Sequence, residues 1–548
     1  MRIALVATYT HPVALGLRYV SSYLKHHGHD VRMLFMSSRR DTASADFPPD
    51  LLASFLEHVR EVDLVGMSLM TNSFVRAGVL TEAIRKAGIR TPIVWGGTHP
   101  TVAPQECIEV ADMVCVGEGE RPLLELAGAL EGGKDPSSVD SFWIRRNGSV
   151  IRNPLAPLAE RLDKHPFPDY DLETHWIAGP REMVPVRPEL LRGALHRYRV
   201  ETTRGCPFHC SFCNNAAWLR ITRGKGRWVR RRSVENVIAE LEEMCRRFPT
   251  IEEVNIVDDL FFIRSEEEIE RFVGMYAQRV NLPLEVDAFP NTVTREKVRS
   301  LSRLPIALIS MGIQSGSADT LKNLYHRPTS LRRIAESIRI FSEAGLKAEY
   351  HYLVDNPLEP EENIIETLRF AATHHRPPAI VRVFPLQFYP GTPLYERARA
   401  EGVIGRRHES AYHYRYSGKK YLKRARYLDI WLRVVLELRG RGVPPWLVHR
   451  MLDVVLNRRV RWAIDRRWFA PLSYRLWRIG RTLSRNLIYQ PFVRPFRYLR
   501  RKKPSYRELH PEDEVSMPRQ PMPSSGTAVA PPAPASAGQP RKAVKART

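Results

Sequence analysis

The chain has 548 residues, of which 43% are hydrophobic and six are cysteines, which suits several globular domains and excludes a disulfide framework. No apolar stretch reaches the roughly 18 uncharged residues of a membrane-spanning helix, so we expect a cytoplasmic protein. The net charge is +24, and residues 401–548 carry 33 Lys and Arg against 10 Asp and Glu, a net charge of +23. The first 400 residues are therefore nearly neutral, and the basicity belongs to the C-terminal part.

Residues 1–140 alternate short apolar strands with amphipathic helices. The strands are predicted at 3–8, 30–36, 64–69, 92–95 and 113–116, with helices at 15–27 and 76–87 among them. This alternation predicts a doubly wound parallel α/β sheet of the Rossmann-like kind. Small and polar residues follow the strand ends at 8–16, 68–73 and 96–101, where such sheets bind ligands.

Residues 141–195 are rich in Pro and Gly and are predicted to be a linker that contains a hairpin at 142–152. Residues 196–402 repeat strand and helix six times. The strands are predicted at 199–203, 253–258, 284–289, 307–313, 348–354 and 381–388. This pattern predicts a partial (β/α)6 TIM-type barrel, whose chemistry lies at the carboxyl ends of the strands.

Three cysteines follow the first barrel strand with the spacing Cys-x3-Cys-x2-Cys, and they are Cys206, Cys210 and Cys213. Three thiolates can hold three irons of a 4Fe–4S cluster and leave the fourth iron open, whereas an electron-transfer cluster normally has four cysteines. The alternatives are a zinc site completed by His209 and cysteines that merely pack in a core. The motif favours the open cluster.

The segment around these cysteines resembles the radical S-adenosylmethionine superfamily. The resemblance lies in the cysteine spacing, in Phe212 before the last cysteine and in the lead-in Gly205-Cys206-Pro207. It implies that the open iron binds the amino and carboxylate groups of S-adenosylmethionine. Reduction by an external protein such as flavodoxin or ferredoxin then yields a 5′-deoxyadenosyl radical.

The same resemblance implies S-adenosylmethionine contacts at Phe212, Asp258, Gln314 and Arg327. Asp258 ends the second barrel strand, and its alternative role is a helix cap or a salt bridge inside the barrel. Gln314 stands where the family usually has Glu, so it keeps hydrogen-bonding capacity without the charge. Arg327 has the spacing of a basic residue of the family, and its alternative is a surface cation.

The first domain resembles the cobalamin-binding domain that precedes many radical S-adenosylmethionine modules. The matching segments include 65–68, 95–101 and 116–120. They imply that cobalamin contacts Ser68, Gly96, Gly97 and Gly117. The motif Asp-x-His-x-x-Gly is absent, so no lower histidine ligand is expected. The alternative is a flavodoxin-like sheet that binds no corrinoid.

Together, residues 1–400 resemble cobalamin-dependent radical S-adenosylmethionine enzymes. The resemblance implies methylation of an unactivated carbon: the adenosyl radical removes a hydrogen atom, methylcobalamin donates its methyl group, and a second S-adenosylmethionine remethylates cobalt. We therefore expect the cobalamin sheet over the mouth of the barrel. Ring formation or rearrangement without methyl transfer is one alternative, and an iron–sulfur scaffold or nucleic-acid-binding protein is another.

Residues 403–502 are predicted to be helical, with helices at 427–439 and 445–463, and they mix Trp with many Arg residues. Three interpretations stay open: helices packed on the barrel, helices lying on a membrane surface, and a nucleic-acid-binding patch, for which no recognised fold is present. The basic region suggests a lipid-like, anionic or secondary-metabolite substrate, or a peripheral membrane contact through 405–500. Residues 503–548 are predicted to be a disordered tail.

Overall fold

The computed structural model describes residues 1–9, 13–36, 45–405, 411, 427–457 and 459–460 of the chain. These residues form two large sheets with their helices, a small two-stranded ladder and a pair of C-terminal helices. The tail at 503–548 and the tryptophans Trp462, Trp468 and Trp477 lie outside the described residues.

The first sheet has nine strands in the order β7-β6-β5-β4-β3-β1-β2-β8-β9. Its strands are β1 (Arg2–Ala7), β2 (Asp30–Phe35), β3 (Leu64–Ser68), β4 (Ile93–Gly96), β5 (Met113–Cys115), β6 (Phe142–Arg146), β7 (Ser149–Arg152), β8 (His175–Ala178) and β9 (Met183–Pro185). The six strands β1–β5 and β8 run parallel, which confirms the predicted doubly wound core. Strands β6, β7 and β9 extend it in antiparallel fashion.

Helices cover both faces of this sheet because alternate strand residues are apolar on both sides. They are α1 (Leu15–His26), α2 (Pro49–Arg60), α3 (Phe74–Lys86), α4 (Thr98–Val102), α5 (Pro104–Cys107) and α6 (Glu120–Glu131), and α7 (Pro188–Leu195) follows the last strand of this sheet. Residues Ala4 and Val6 pack into one apolar cluster, and Ile3 and Leu5 pack into the other. The sheet is therefore buried on both faces.

The segment 141–195, predicted to be a linker, instead supplies four strands of the first sheet. The hairpin β6–β7 turns at Asn147 as predicted and pairs with β5. Strand β8 pairs with β2, at the opposite side of the sheet. The linker prediction was wrong there because three- and four-residue strands added at a sheet edge carry little periodicity of their own.

The second sheet contains six parallel strands in the order β10-β13-β14-β15-β16-β17, which confirms the partial barrel. They are β10 (Arg197–Val200), β13 (Glu253–Ile256), β14 (Leu284–Ala288), β15 (Ile306–Gln314), β16 (Ala348–Val354) and β17 (Ala379–Pro385), and a small ladder joins β11 (Thr203–Arg204) to β12 (Arg230–Arg231). Among the described residues, β10 and β17 do not pair, so the barrel stays open on one side.

Seven helices accompany the barrel strands: α8 (Asn214–Ile221), α9 (Val234–Arg247), α10 (Glu266–Arg279), α11 (Arg295–Leu301), α12 (Leu331–Glu343), α13 (Glu361–His374) and α14 (Pro393–Ala400). Many of these helices have an N-cap residue whose side-chain oxygen accepts a backbone hydrogen bond from the first turn. In α10, for example, Ser265 is the N-cap and forms a capping box with Glu268. The apolar cluster on the outer face of the barrel is continuous with one face of the first sheet. The two sheets therefore share a core.

Two C-terminal helices, α15 (Tyr427–Gly440) and α16 (Pro445–Val455), pack against α13 and β17. Leu432, Val435 and Leu452 are at most 1% exposed in this contact. For the described part of this region, the packing agrees with the interpretation of helices packed on the barrel. No helix among the described residues has both the length and the apolarity to cross a membrane.

Candidate active site

A cavity of about 1000 Å³ lies between the first sheet and the mouth of the barrel. The carboxyl ends of β1, β3, β4 and β5 form one wall, and the cysteine loop after β10 forms part of the other. Its volume is at the upper end of ordinary cofactor sites. The first sheet thus covers the barrel mouth, as expected from the sequence.

All four residues predicted to contact cobalamin, namely Ser68, Gly96, Gly97 and Gly117, line this cavity. Gly97 and Gly117 have positive φ angles of 99° and 94°, which favour glycine. A Cβ at Gly97 would lie 2.9 Å from the carbonyl oxygen of Leu69 and from Ser68 Oγ. Small residues therefore keep these loops close together and leave the wall open to a large planar group, as a corrin ring requires.

The hydroxyl of Ser68 lies 2.5 Å from the phenol oxygen of Tyr9. Burial raises the pKa of Tyr9 to about 12, although its hydrogen bond with Ser68 lowers it. The phenol is thus neutral at physiological pH and can act as a hydrogen-bond donor. Among the described residues, no histidine lines the cavity.

The cluster motif lies on the loop between β11 and α8. Cys213 lines the cavity, Cys210 is 6% exposed, and the two are joined by a backbone hydrogen bond of 3.0 Å from the amide of Cys213 to the carbonyl of Cys210. His209, the alternative zinc ligand, is exposed to solvent. Within the described ranges, no three His, Cys, Asp or Glu side chains are close enough to hold a single metal ion. A cubane cluster separates its thiolates more widely, because each binds a different iron.

A buried cation accompanies these thiols. Arg327 Nη1 donates to Cys210 Sγ at 3.6 Å, and its Nη2 donates to the carbonyl of Gly312 at 2.5 Å. Burial raises the pKa of Cys206 to about 11 and that of Cys213 to about 12. These thiols are protonated until a metal displaces the proton, and the guanidinium then compensates part of the thiolate charge. The donor set fits an iron–sulfur cluster.

The four predicted S-adenosylmethionine contacts occupy different places. Phe212 lines the cavity and packs edge-on against Tyr325 at 5.1 Å between ring centroids. Arg327 lies behind the cysteine loop. Gln314 ends β15 with a φ of 73°, and a Cβ at Gly312 would overlap its amide. A positive φ is uncommon for Gln and often marks a functional site. The contacts of all four with S-adenosylmethionine stay predictions.

Asp258 is buried, and its carboxylate accepts hydrogen bonds from the amides of Thr202, at 2.5 Å, and Thr203, at 2.8 Å. Burial raises the pKa of Asp258 to about 6, although these hydrogen bonds lower it. The next residue, Asp259, lines the cavity and accepts from the amide of Gly205 and from Asn215 Nδ2. The polar pair at this strand end was visible in the sequence, but only the tertiary structure shows which member faces the cavity.

Charged side chains join the two walls. Glu118 lies between Arg204 and Arg230, with oxygen–nitrogen distances of 3.4 Å and 2.8 Å, and Glu120 accepts from Arg204 at 2.8 Å. Burial opposes ionisation of Glu118, yet the two guanidinium groups hold its pKa down at about 2. The loop after β5 is thereby tied to the segment that leads into the cysteine motif.

Several cavity residues were missed by the sequence analysis: Arg199, Glu201, Asn214, Asn215, Trp218 and Trp228. Trp228 forms a hydrogen bond with the cysteine motif, because its Nε1 donates to the carbonyl of Cys206 at 2.8 Å. One signal could have found Arg199, because it alternates with the apolar residues Tyr198 and Val200 in a barrel strand. The others depend on how distant segments meet.

Two family models match the chain in the order of the two sheets. Residues 1–127 match the B12 binding domain, and residues 200–371 match the radical SAM superfamily. The cavity described above lies where these two regions meet. The cofactors of the chain are accordingly a 4Fe–4S cluster, S-adenosylmethionine and cobalamin.

Several curated relatives are about a quarter identical to the chain over the aligned residues. The uncharacterized methyltransferase PH0819 of Pyrococcus horikoshii is 26% identical over 71% of this chain and 79% of its own length. The hopanoid C-3 methylase of Methylococcus capsulatus is 25% identical over 69% of this chain and 67% of its own length. The anaerobic magnesium-protoporphyrin IX monomethyl ester cyclase of Rubrivivax gelatinosus is 24% identical over 64% and 60%.

Solved structures show the same fold. The radical S-adenosylmethionine methyltransferase TsrM from Kitasatospora setae superposes with a TM-score of 0.58 at 18% identity, over 73% of this chain and 76% of that chain. The cobalamin-dependent S-adenosylmethionine radical enzyme OxsB superposes with a TM-score of 0.55, over 73% and 55%. Fold, cavity and family matches agree, and the chain belongs to the radical S-adenosylmethionine enzymes that carry a B12-binding domain.

Proposed function

We propose that this chain transfers a methyl group to an unactivated carbon of a small organic molecule. The observation that supports it best is the single cavity lined by both the predicted cobalamin loops and the cysteine loop. When bound, the cluster with S-adenosylmethionine supplies hydrogen-atom abstraction, and cobalamin supplies the methyl group. Curated relatives named as methyltransferases or methylases support the same reaction class.

The chain's own residues have separable tasks in this proposal. Cys206, Cys210 and Cys213 hold three irons, and Arg327 places a positive charge beside them. Trp218 and Trp228 line the space between the loops, where they help to exclude water from reactive species. The protein therefore binds, positions and shields, while the cofactors carry the difficult chemistry.

The test is an anaerobic assay of the purified, reconstituted protein with methyl-labelled S-adenosylmethionine and an external reductant such as flavodoxin or ferredoxin. We expect iron and corrinoid in the same preparation, together with 5′-deoxyadenosine and S-adenosylhomocysteine as products. Labelled methyl groups should appear on a substrate drawn from small-molecule extracts. Preparations that bind the cluster but no corrinoid would refute the methyl-transfer proposal.

Ring formation without methyl transfer is the second candidate, because several curated relatives are cyclases. The two reactions differ in their use of S-adenosylmethionine. Methyl transfer through cobalamin consumes a second molecule and releases S-adenosylhomocysteine, whereas ring formation leaves no label on the product. Deoxyadenosine formation with an unlabelled, changed product would favour the cyclase.

We further propose that the substrate is lipid-like or a secondary metabolite and that the C-terminal region contacts a membrane surface. Trp446 and Val454 on α16 are each 61% exposed, and the Arg450 guanidinium lies 5.8 Å from the Trp446 ring centroid. Aromatic and basic residues together are typical of surface-bound helices. Most of 405–426 and 461–500 lies outside the described residues. Cosedimentation with phosphatidylglycerol vesicles at low salt should decrease on Trp446→Ala, and no binding would refute the contact.

A further inference from the structure

The first barrel strand presents two arginines to the lumen of the barrel. On β10, Tyr198 and Val200 are 1% and 0% exposed and pack with the apolar residues of α9. Because side chains alternate along a strand, Arg197 and Arg199 point the opposite way, toward the lumen.

These two arginines differ in their partners. Arg197 is bound by two carboxylates, Glu253 at 3.0 Å and Glu285 at 2.9 Å. Arg199 is exposed, lines the cavity, and forms no hydrogen bond or ion pair with any described residue. Its electrostatic neighbour Tyr170 is a phenol whose pKa is raised by burial, so it stays neutral and supplies no counter-charge.

The other charged groups in the cavity are already satisfied. Arg204 and Arg230 are paired with the carboxylates of the loop after β5, as described above. Glu201 accepts from Arg204 at 2.8 Å, and Asp259 accepts from an amide and from Asn215. Within the described part of the cavity, Arg199 is the guanidinium whose donors are left for a ligand.

A guanidinium offers paired donors that match a carboxylate or a phosphate, and such charged hydrogen bonds strengthen when water is excluded. We propose that Arg199 binds an oxyanion, a carboxylate or phosphate group, of the molecule that accepts the methyl group. This inference rests on the proposed function and names a substrate class for it. A substrate without the anion should bind about tenfold more weakly or worse.

Two cofactors also carry oxyanions, namely the phosphodiester of cobalamin and the carboxylate of S-adenosylmethionine. The experiment therefore uses the full chain loaded with cluster, cobalamin and S-adenosylmethionine, without reductant. Phenylglyoxal modifies accessible, unpaired arginines. Mass spectrometry of peptides then gives the rate at which Arg199 is modified. Arg223, an exposed arginine outside the cavity lining, is the matched control.

We expect Arg199 to react in the loaded protein and its rate to fall at least fivefold with orthophosphate or with acetate, at ionic strength balanced by chloride. The rate at Arg223 should not change. The protecting anion then identifies phosphate or carboxylate as the substrate group. An Arg199 that is unreactive once the cofactors are bound, or that neither anion protects, would overturn the proposal.

Substitution provides the second measurement. Equilibrium dialysis of the protecting anion with the loaded protein should show about tenfold weaker binding for Arg199→Gln and a smaller loss for Arg199→Lys, with Arg223→Gln unchanged. Iron and cobalt contents are measured alongside, and if Arg199→Gln loses cofactors, the Arg199→Lys result decides. Equal anion binding by all variants would overturn the inference. Neither measurement involves methyl transfer, so a failed methylation assay and a failed anion site are distinguishable.

Discussion

The wall that the first sheet contributes to the cavity and the wall that the barrel contributes use different side chains. The first is built mainly from small or apolar residues such as Gly16, Ser68, Gly96 and Gly97. Its two carboxylates, Glu118 and Glu120, are paired with arginines of the barrel side. The barrel wall is charged and aromatic, and it contains Arg199, Glu201, Arg204, Asp259, Trp218 and Trp228. In the proposed function, the wall of the first sheet accommodates a large corrin ring by its shape and backbone, whereas the barrel wall supplies fixed charges for the cluster loop and a polar substrate.

The largest effect is expected on the barrel side. Cys210→Ala should abolish the iron–sulfur chromophore and all 5′-deoxyadenosine formation, because two thiolates do not hold the cluster and Arg327 loses its partner. Iron analysis and visible spectroscopy measure the loss. Cys245→Ala, at another buried cysteine, should keep its iron. A variant at Cys210 that still cleaves S-adenosylmethionine would contradict the three-cysteine site.

The next largest effect is expected for the ion pairs of Glu118, which join the two walls of the cavity. Glu118→Gln leaves Arg204 and Arg230 short of a carboxylate and should lower the free energy of unfolding by about 3 kcal/mol at pH 7. The carboxyl has a pKa of about 2 when folded and 4.5 ordinarily, so its stabilisation is complete above pH 4.5 and is lost as the pH falls toward 2.

Urea unfolding of both proteins across this pH range measures the difference. The matched control is Glu82→Gln, which removes an exposed pair with Lys86 and should change stability by at most about 0.5 kcal/mol. Equal losses for the two variants would show that the walls are not held together by Glu118.

A smaller effect is expected at the wall of the first sheet, where cobalamin is proposed to bind. Gly97→Ala forces a side chain onto a φ of 99° and within 2.9 Å of Leu69 O, at a cost of about 1–3 kcal/mol. Corrinoid content after reconstitution should fall while iron content is kept. Gly78→Ala, in α3 with nothing within 4 Å of the new Cβ, should leave both unchanged. Loss of iron with corrinoid retained would contradict the assignment of corrinoid binding to the wall of the first sheet.

The smallest effect sharpens the role of charge beside the cluster. Arg327→Met removes the cation next to Cys210 and should lower the cluster's reduction potential by about 60 mV, the equivalent of 1.4 kcal/mol for one electron. Potentiometric titration followed by electron paramagnetic resonance measures it. Arg339→Met, at an exposed pair with Glu343, is the control. An unchanged potential in Arg327→Met would mean that the guanidinium only packs.

Much of the fold could be predicted because it is encoded over short distances. The bounds of β16 agree with the sequence analysis to the residue, since this strand has a clear apolar period and a boundary signal. The short strands β8 and β9 were not predicted, because three or four residues carry too little periodicity. Strand β8 takes its place by pairing with β2, more than 130 residues earlier in the chain, and β9 then pairs with β8.

The amino-acid sequence by itself determined the cysteine triad, the glycine-rich loops and the order of the two domains, since spacing and periodicity are local properties. Only the tertiary structure decided that Asp259 rather than Asp258 faces the cavity. It also decided that Arg197 pairs with two carboxylates, while Arg199 has no ion pair with a described residue. Partners of a charge come from strands and loops far apart in the chain, and folding alone brings them within hydrogen-bond distance.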